Sequence, residues 1–95
     1  MEEIKKEGNQ FFIGVSAANA LAKLSVVPTG KDILTIDHVN VSKTLKGQGV
    51  GGKLVNEVVK YARQNNMRII PQCSFARKQF EKNPDYHDVL DGGIL

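Results

Sequence analysis

A chain of 95 residues, 41% hydrophobic and 24% charged with a formal net charge of +3, is long enough for one small folded domain and too short for several. The apolar fraction is too high and the net charge too low for a disordered chain. No apolar run reaches the roughly 18–20 residues that a membrane span requires.

The charged opening Met1-Glu2-Glu3-Ile4-Lys5-Lys6-Glu7 has no apolar centre, so it does not read as a signal peptide. Asn9 to Val15 is a short strand candidate carrying Phe11, Phe12, Ile13 and Val15, closed by a turn at Ser16-Ala17-Ala18-Asn19. Ala20 to Val27 alternates Leu21, Lys23 and Ser25 with Ala22, Leu24 and Val26, the period of a half-buried strand. Pro28-Thr29-Gly30-Lys31-Asp32 is a turn signal that implies an antiparallel hairpin into Ile33 to Val41, a run rich in β-branched residues. From Val50 to Asn65 the period becomes helical: Val50, Leu54, Val55, Val58, Val59 and Ala62 share a face opposite Lys53, Glu57, Lys60 and Arg63. Met67 to Cys73 is a last short strand, in which Pro71 removes a backbone donor and forces a bend or a missing partner. Phe75 to Lys82 can form a short helix ended by Asn83-Pro84, and Tyr86 to Leu90 a final turn. The order β-β-β-α-β-α gives one α+β domain spanning residues 1–95. Its strand–helix–strand unit from Ile33 to Cys73 should be a parallel crossover.

The most informative segment is Lys46-Gly47-Gln48-Gly49-Val50-Gly51-Gly52 at the start of the long helix. Glycine costs about 0.8–1 kcal/mol in a helix interior, so four of them need an offset. Main-chain N–H groups unshielded by Cβ atoms, together with the positive end of a helix, make a cradle for phosphate or diphosphate. The alternative is a tight turn packed against the sheet. Gly47, Gly49 and Gly52 match the dinucleotide pattern G-x-G-x-x-G, but Ser42 to Lys46 separates them from the strand. No acidic residue stands about 20 positions on to hold a ribose. A nucleotide-triphosphate loop would need Ser or Thr after Gly52-Lys53, where Leu54 stands.

Lys46-x-x-Gly49-x-Gly51 resembles the acetyl-CoA signature of the GNAT-type N-acetyltransferases, Gln/Arg-x-x-Gly-x-Gly/Ala, with lysine in first place. The chain is most similar to the short single-domain branch of that superfamily. The segments that carry the resemblance are His38-Val39-Asn40-Val41, Pro71-Gln72-Cys73-Ser74-Phe75 and Lys82-Asn83-Pro84-Asp85-Tyr86. It extends from about Phe11 to Leu90. It implies a mixed, mainly antiparallel sheet with a central helix, whose two parallel strands splay to admit acetyl-CoA. The diphosphate would rest on the amides of Gly47, Gln48, Gly49, Val50, Gly51 and Gly52, with Lys46 and Lys53 nearby. The pantetheine arm would pair with the backbone of Val39 and Val41.

The resemblance implies transfer of an acetyl group to a primary amine of a small molecule or a protein. Cys73 is then a candidate nucleophile and a neighbour of the thioester, or else a buried strand cysteine. His38 is a candidate general base, or else a strand-end histidine bonded to backbone. Phe75 and Phe80 read as core or as walls of a thioester pocket. Asn40, Gln79 and Asn83 stand where the family carries Glu, Tyr and His, and Ser74 where it carries Pro. These departures keep open a second reading, a non-catalytic acyl-CoA-binding or regulatory module. The lone cysteine suits a cytoplasmic setting. The basic residues are scattered, so neither nucleic acid nor membrane is an expected partner, and no metal site is expected.

Overall fold

Two-residue alternation in the first half and a 3.6-residue period after Val50 set the architecture of the computed structural model, which describes residues 3–91. Its elements are β1 (Lys5–Glu7), β2 (Gln10–Gly14), β3 (Ala20–Gly30), β4 (Ile33–Val41), α1 (Val50–Gln64), β5 (Arg68–Pro71) and α2 (Ser74–Lys82). Short 3-10 helices lie at Lys43–Leu45 and Pro84–Val89. The strands form one sheet in the order β1-β2-β3-β4-β5, antiparallel through β4. β4 and β5 are parallel, joined by the α1 crossover. The fold is therefore the expected mixed, mainly antiparallel sheet with a central helix.

Two details differ from the sequence reading. β1 is an additional edge strand whose three residues are all exposed. Nothing apolar marks it; it forms because Gly8, at φ 58°, turns the chain back onto β2. The Lys6 ammonium sits 5.0 Å from the ring centroid of Tyr61 on α1, a cation–π contact that ties this edge to the helix. The turn after β3 is also tighter than its composition suggests. Pro28 pairs opposite Leu34 and the strand runs on to Gly30, leaving Lys31 and Asp32 to reverse the chain.

One face of the sheet is covered by α1 and α2, and the core lies between. Leu54, Val55, Val58, Val59 and Ala62 on α1 are fully buried against Leu24, Ile36 and Ile69 of the sheet. Each such aliphatic side chain stabilises the fold by about 1.5–3 kcal/mol relative to exposure. α2 contributes Ala76 and Phe80 to the same core. α1 ends at Asn65, whose Nδ2 donates to the Tyr61 carbonyl at 2.8 Å.

Candidate active site

The site begins with an irregularity in β4. In the β3–β4 ladder Ser25 pairs with His38 and Val26 with Ile36, so Asp37 is an extra residue without an opposite number. Such a bulge bends its strand and strengthens the local twist. The β4–β5 pairing ends at the same point, with Ile36 opposite Pro71. The N–H groups of Gln72 and Cys73 both donate to the Ile36 carbonyl, at 3.1 and 3.2 Å, and there the two strands part. Pro71 is the last residue of β5, as its missing donor requires. Residues 37–41 of β4 then continue with no strand partner on that side among the described residues.

The bulge also decides which side chains face inward. Leu34 and Ile36 point into the core; beyond Asp37 the inward residues are Val39 and Val41, half-buried against it. His38 and Asn40 are exposed on the other face. There Asn40 Nδ2 donates to Nε2 of His38 at 2.6 Å. Uninterrupted alternation would have turned His38 and Asn40 inward instead.

Facing this free strand is the start of α1. Its N-cap, Gly49, has φ 73° and ψ 17°, a left-handed conformation that favours glycine, and no side chain caps the helix. The first turn carries no acidic residue. Lys53 N–H donates to the Gly49 carbonyl. No described residue accepts a hydrogen bond from the N–H of Gly47, Gly49, Val50, Gly51 or Gly52. These donors and the positive end of the helix dipole form an electropositive corner. Gln48 is the exception within the expected cradle. Its N–H donates to the Leu45 carbonyl and its Nε2 to the Thr44 carbonyl, so it is tied into the loop.

The third wall is α2. Cys73 is its N-cap, half-buried, with Sγ accepting the Ala76 N–H at 3.4 Å. The Phe75 ring packs on Gly51, where a Cβ would lie 2.6 Å from Cζ. The three walls enclose a cleft of about 610 Å³. Of the expected cofactor residues, Val39, Val41, Lys46, Gly47, Gly49, Val50, Gly51 and Gly52 line it. Gln48, Lys53 and Cys73 do not, nor does the catalytic candidate His38, although the Cys73 N–H is bonded at the point where β4 and β5 separate. The sequence reading did not place Asn40, Leu45, Gln79 and Lys82 at the cofactor, and assigned Phe75 only to a wall or the core. The spacing 75, 79, 82 on a helix was the available signal for three of them. Lys46 and Lys82 are the charged residues of the described lining, so the cleft favours an anion.

The model of the GCN5-related N-acetyltransferase family matches residues 10–89, most of the chain. The chain belongs to that family. A GCN5-like candidate N-acetyltransferase from Staphylococcus aureus, known from its NMR solution structure, is 47% identical. The match covers 95% of this chain and 88% of that one, with a TM-score of 0.80. An IAA acetyltransferase from Bacillus cereus shares the fold at 15% identity and a TM-score of 0.56, over 90% of this chain and 69% of that one. No curated protein sequence matches the chain. The family is one of acyltransferases. No helix of the described residues is long and apolar enough to cross a membrane.

Proposed function

We propose that this GNAT-family chain, acting as one domain over residues 1–95, moves an acetyl group from acetyl-CoA to a primary amine of a small molecule or a protein. The observation that carries the reading is the open cleft whose uncommitted N–H groups, at Gly47, Gly49, Val50, Gly51 and Gly52, meet Lys46 and Lys82 with no carboxylate among the described lining residues. A diphosphate satisfies those donors and that charge together. The pantetheine arm adds to residues 39–41 as a further strand would. This leaves the thioester where β4 and β5 part, beside Cys73.

A free alkylamine with a pKa near 10.4 is only about 0.1% neutral at pH 7.4, so the acceptor must lose a proton before it attacks. His38, the candidate acceptor of that proton, lies on the sheet face away from the helices with Nε2 engaged by Asn40, so the proton must reach it through solvent and displace that hydrogen bond. In the covalent route the Cys73 sulfur attacks the thioester carbonyl, and CoA leaves as its thiol with the proton that the Cys73 thiol gave up. The neutral amine then attacks the Cys73 thioester, forming the amide and regenerating the cysteine. In the direct route the amine attacks acetyl-CoA and Cys73 only shapes the site.

Isothermal titration with acetyl-CoA and CoA tests the binding step; no heat at high micromolar ligand overturns the reading. Thiol release over a panel of amines tests catalysis. Turnover by Cys73→Ala assigns the direct route, whereas its loss with binding intact assigns the covalent one. A second reading, an acyl-CoA-binding module without turnover, is favoured by the absence of any histidine or carboxylate from the described lining. Binding without thiol release from any amine in the panel selects it.

A further inference from the structure

On the sheet face away from the helices, two opposite charges flank the strand gap without partners of their own. Ile36 and Val39 both point into the core, so Asp37 and His38 between them both face outward. Across the β3–β4 ladder Ser25 pairs with His38 and Lys23 with Asn40, which puts Lys23 on this same face. Asp37 is exposed and stands just past Ile36, the last residue of β4 to pair with β5. Lys23 is half-buried beside Phe12, its opposite number on β2. Neither Asp37 nor Lys23 forms a side-chain hydrogen bond or ion pair with any described residue. Lys5, the other lysine of that cross-strand row, is instead committed, donating to the Gly14 carbonyl at 3.2 Å. Lys23 lies one strand across from Asp37 and two to three residues along, which sets their Cα atoms about 8–10 Å apart. The face therefore carries an anion at the gap and a cation farther from it.

We propose that this pair of charges selects the acceptor, and that the acceptor is a small zwitterion. Its ammonium end is drawn to Asp37 at the gap, and its carboxylate pairs with Lys23. The assignment rests on the acetyl-transfer reading above, narrows the acceptor to one class, and makes Lys23 its specificity determinant. With the cofactor on the helix side of residues 39–41, the opposite face is the one left open to the amine. An amine and a carboxylate joined by a five-carbon chain lie roughly 7–8 Å apart when extended, which matches the spacing of the two residues. A molecule with two cationic ends satisfies Asp37 but sets its second charge against Lys23.

Thiol release from acetyl-CoA with three acceptors tests the assignment. They are 6-aminohexanoate, pentylamine, which lacks the carboxylate, and 1,5-diaminopentane, which puts a second cation in its place. The wild type should prefer 6-aminohexanoate to both in kcat/KM, through a lower KM, and salt should weaken the preference. Lys23→Met keeps an aliphatic stem beside Phe12 and removes the charge. It should cut the preference over pentylamine about fivefold, and Lys23→Arg should restore most of it. Lys23→Glu should reverse the order in favour of 1,5-diaminopentane. Asp37→Asn should raise KM for all three amines alike. Equal losses on all three amines in Lys23→Met mark a merely structural lysine and overturn the assignment. So does a wild type that favours pentylamine or the diamine, or one that releases thiol only with peptide amines. A wild type that releases thiol with no amine at all is a different result: it removes the acetyl-transfer reading, and the assignment with it.

Discussion

A Cβ at Gly51 would strike the Phe75 ring, whereas one at Gly49 would meet nothing within 4 Å but would have to adopt φ 73°. The two glycines of the signature are thus required for different reasons, and their alanine variants should fail differently. Gly49→Ala should lose about 1 kcal/mol of unfolding free energy from left-handed strain. Gly51→Ala should lose less, because Phe75 is 38% exposed and can swing aside. The displaced ring would then intrude on the cleft, and CoA affinity should drop by more than in Gly49→Ala. Chemical denaturation and titration of the pair decide; the reverse ranking in both measurements refutes the argument. The sequence marked both glycines as costly, but only the packing of α2 on α1 shows that one of them answers to Phe75.

At the scale of elements, the central feature is the bulge at Asp37. Because Ile36 and Val39 both face the core, removing Asp37 leaves the inward pattern of β4 intact on either side. The Asp37 deletion should therefore fold, with a thermal midpoint within a few degrees of wild type. The straightened strand should stay closer to β5, narrowing the gap and lowering acetyl-CoA binding at least tenfold. Wild-type affinity in a folded deletion would show that the divergence of the strands does not depend on the bulge. The bounds of β4 were readable in the run of β-branched residues from Ile33 to Val41. The bulge was not, since no residue type announces it, and its position follows from pairing with β3. That pairing places His38 outside the cleft and Val39 and Val41 within it.

Across the whole molecule, the segment after α2 closes the structure. Tyr86 is 8% exposed, stacks edge-on against Phe80 at 5.5 Å between centroids, and donates to Asn56 Oδ1 at 3.2 Å. Burial pushes its phenol pKa up, with the Asp85 charge adding to the shift and Arg63 opposing it. Leu90 bridges to Ile69, and the Asp91 N–H reaches the Ile69 carbonyl at 2.9 Å, so the tail secures β5. Tyr86→Ala should cost about 3–5 kcal/mol by denaturant unfolding, and Tyr86→Phe about 1 kcal/mol. Arg63 also grips this segment, donating to both carboxylate oxygens of Asp88, at 2.8 and 2.9 Å, and to the Asp85 carbonyl. The hydrogen bond from Arg63 holds the Asp88 carboxyl below its ordinary range, and the same bond raises the guanidinium. A depressed folded-state pKa stabilises fully above the unfolded value near 4 and is lost as pH falls through the folded one. The gap in thermal midpoint between wild type and Asp88→Asn should therefore be small but present at pH 7 and should vanish at strongly acidic pH. A gap that widens on acidification contradicts the pairing.

Taken alone, the amino-acid order determined the helices, the three interior strands before α1, the glycine-rich helix start and the family, because period, punctuation and local motif are properties of neighbours along the chain. The edge strand β1, the bulge at Asp37, the outward placement of His38 and the placing of Phe75, Gln79 and Lys82 along the cleft were decided in three dimensions. Each depends on which residue lies across from which, and contacts between distant segments leave no local trace in composition.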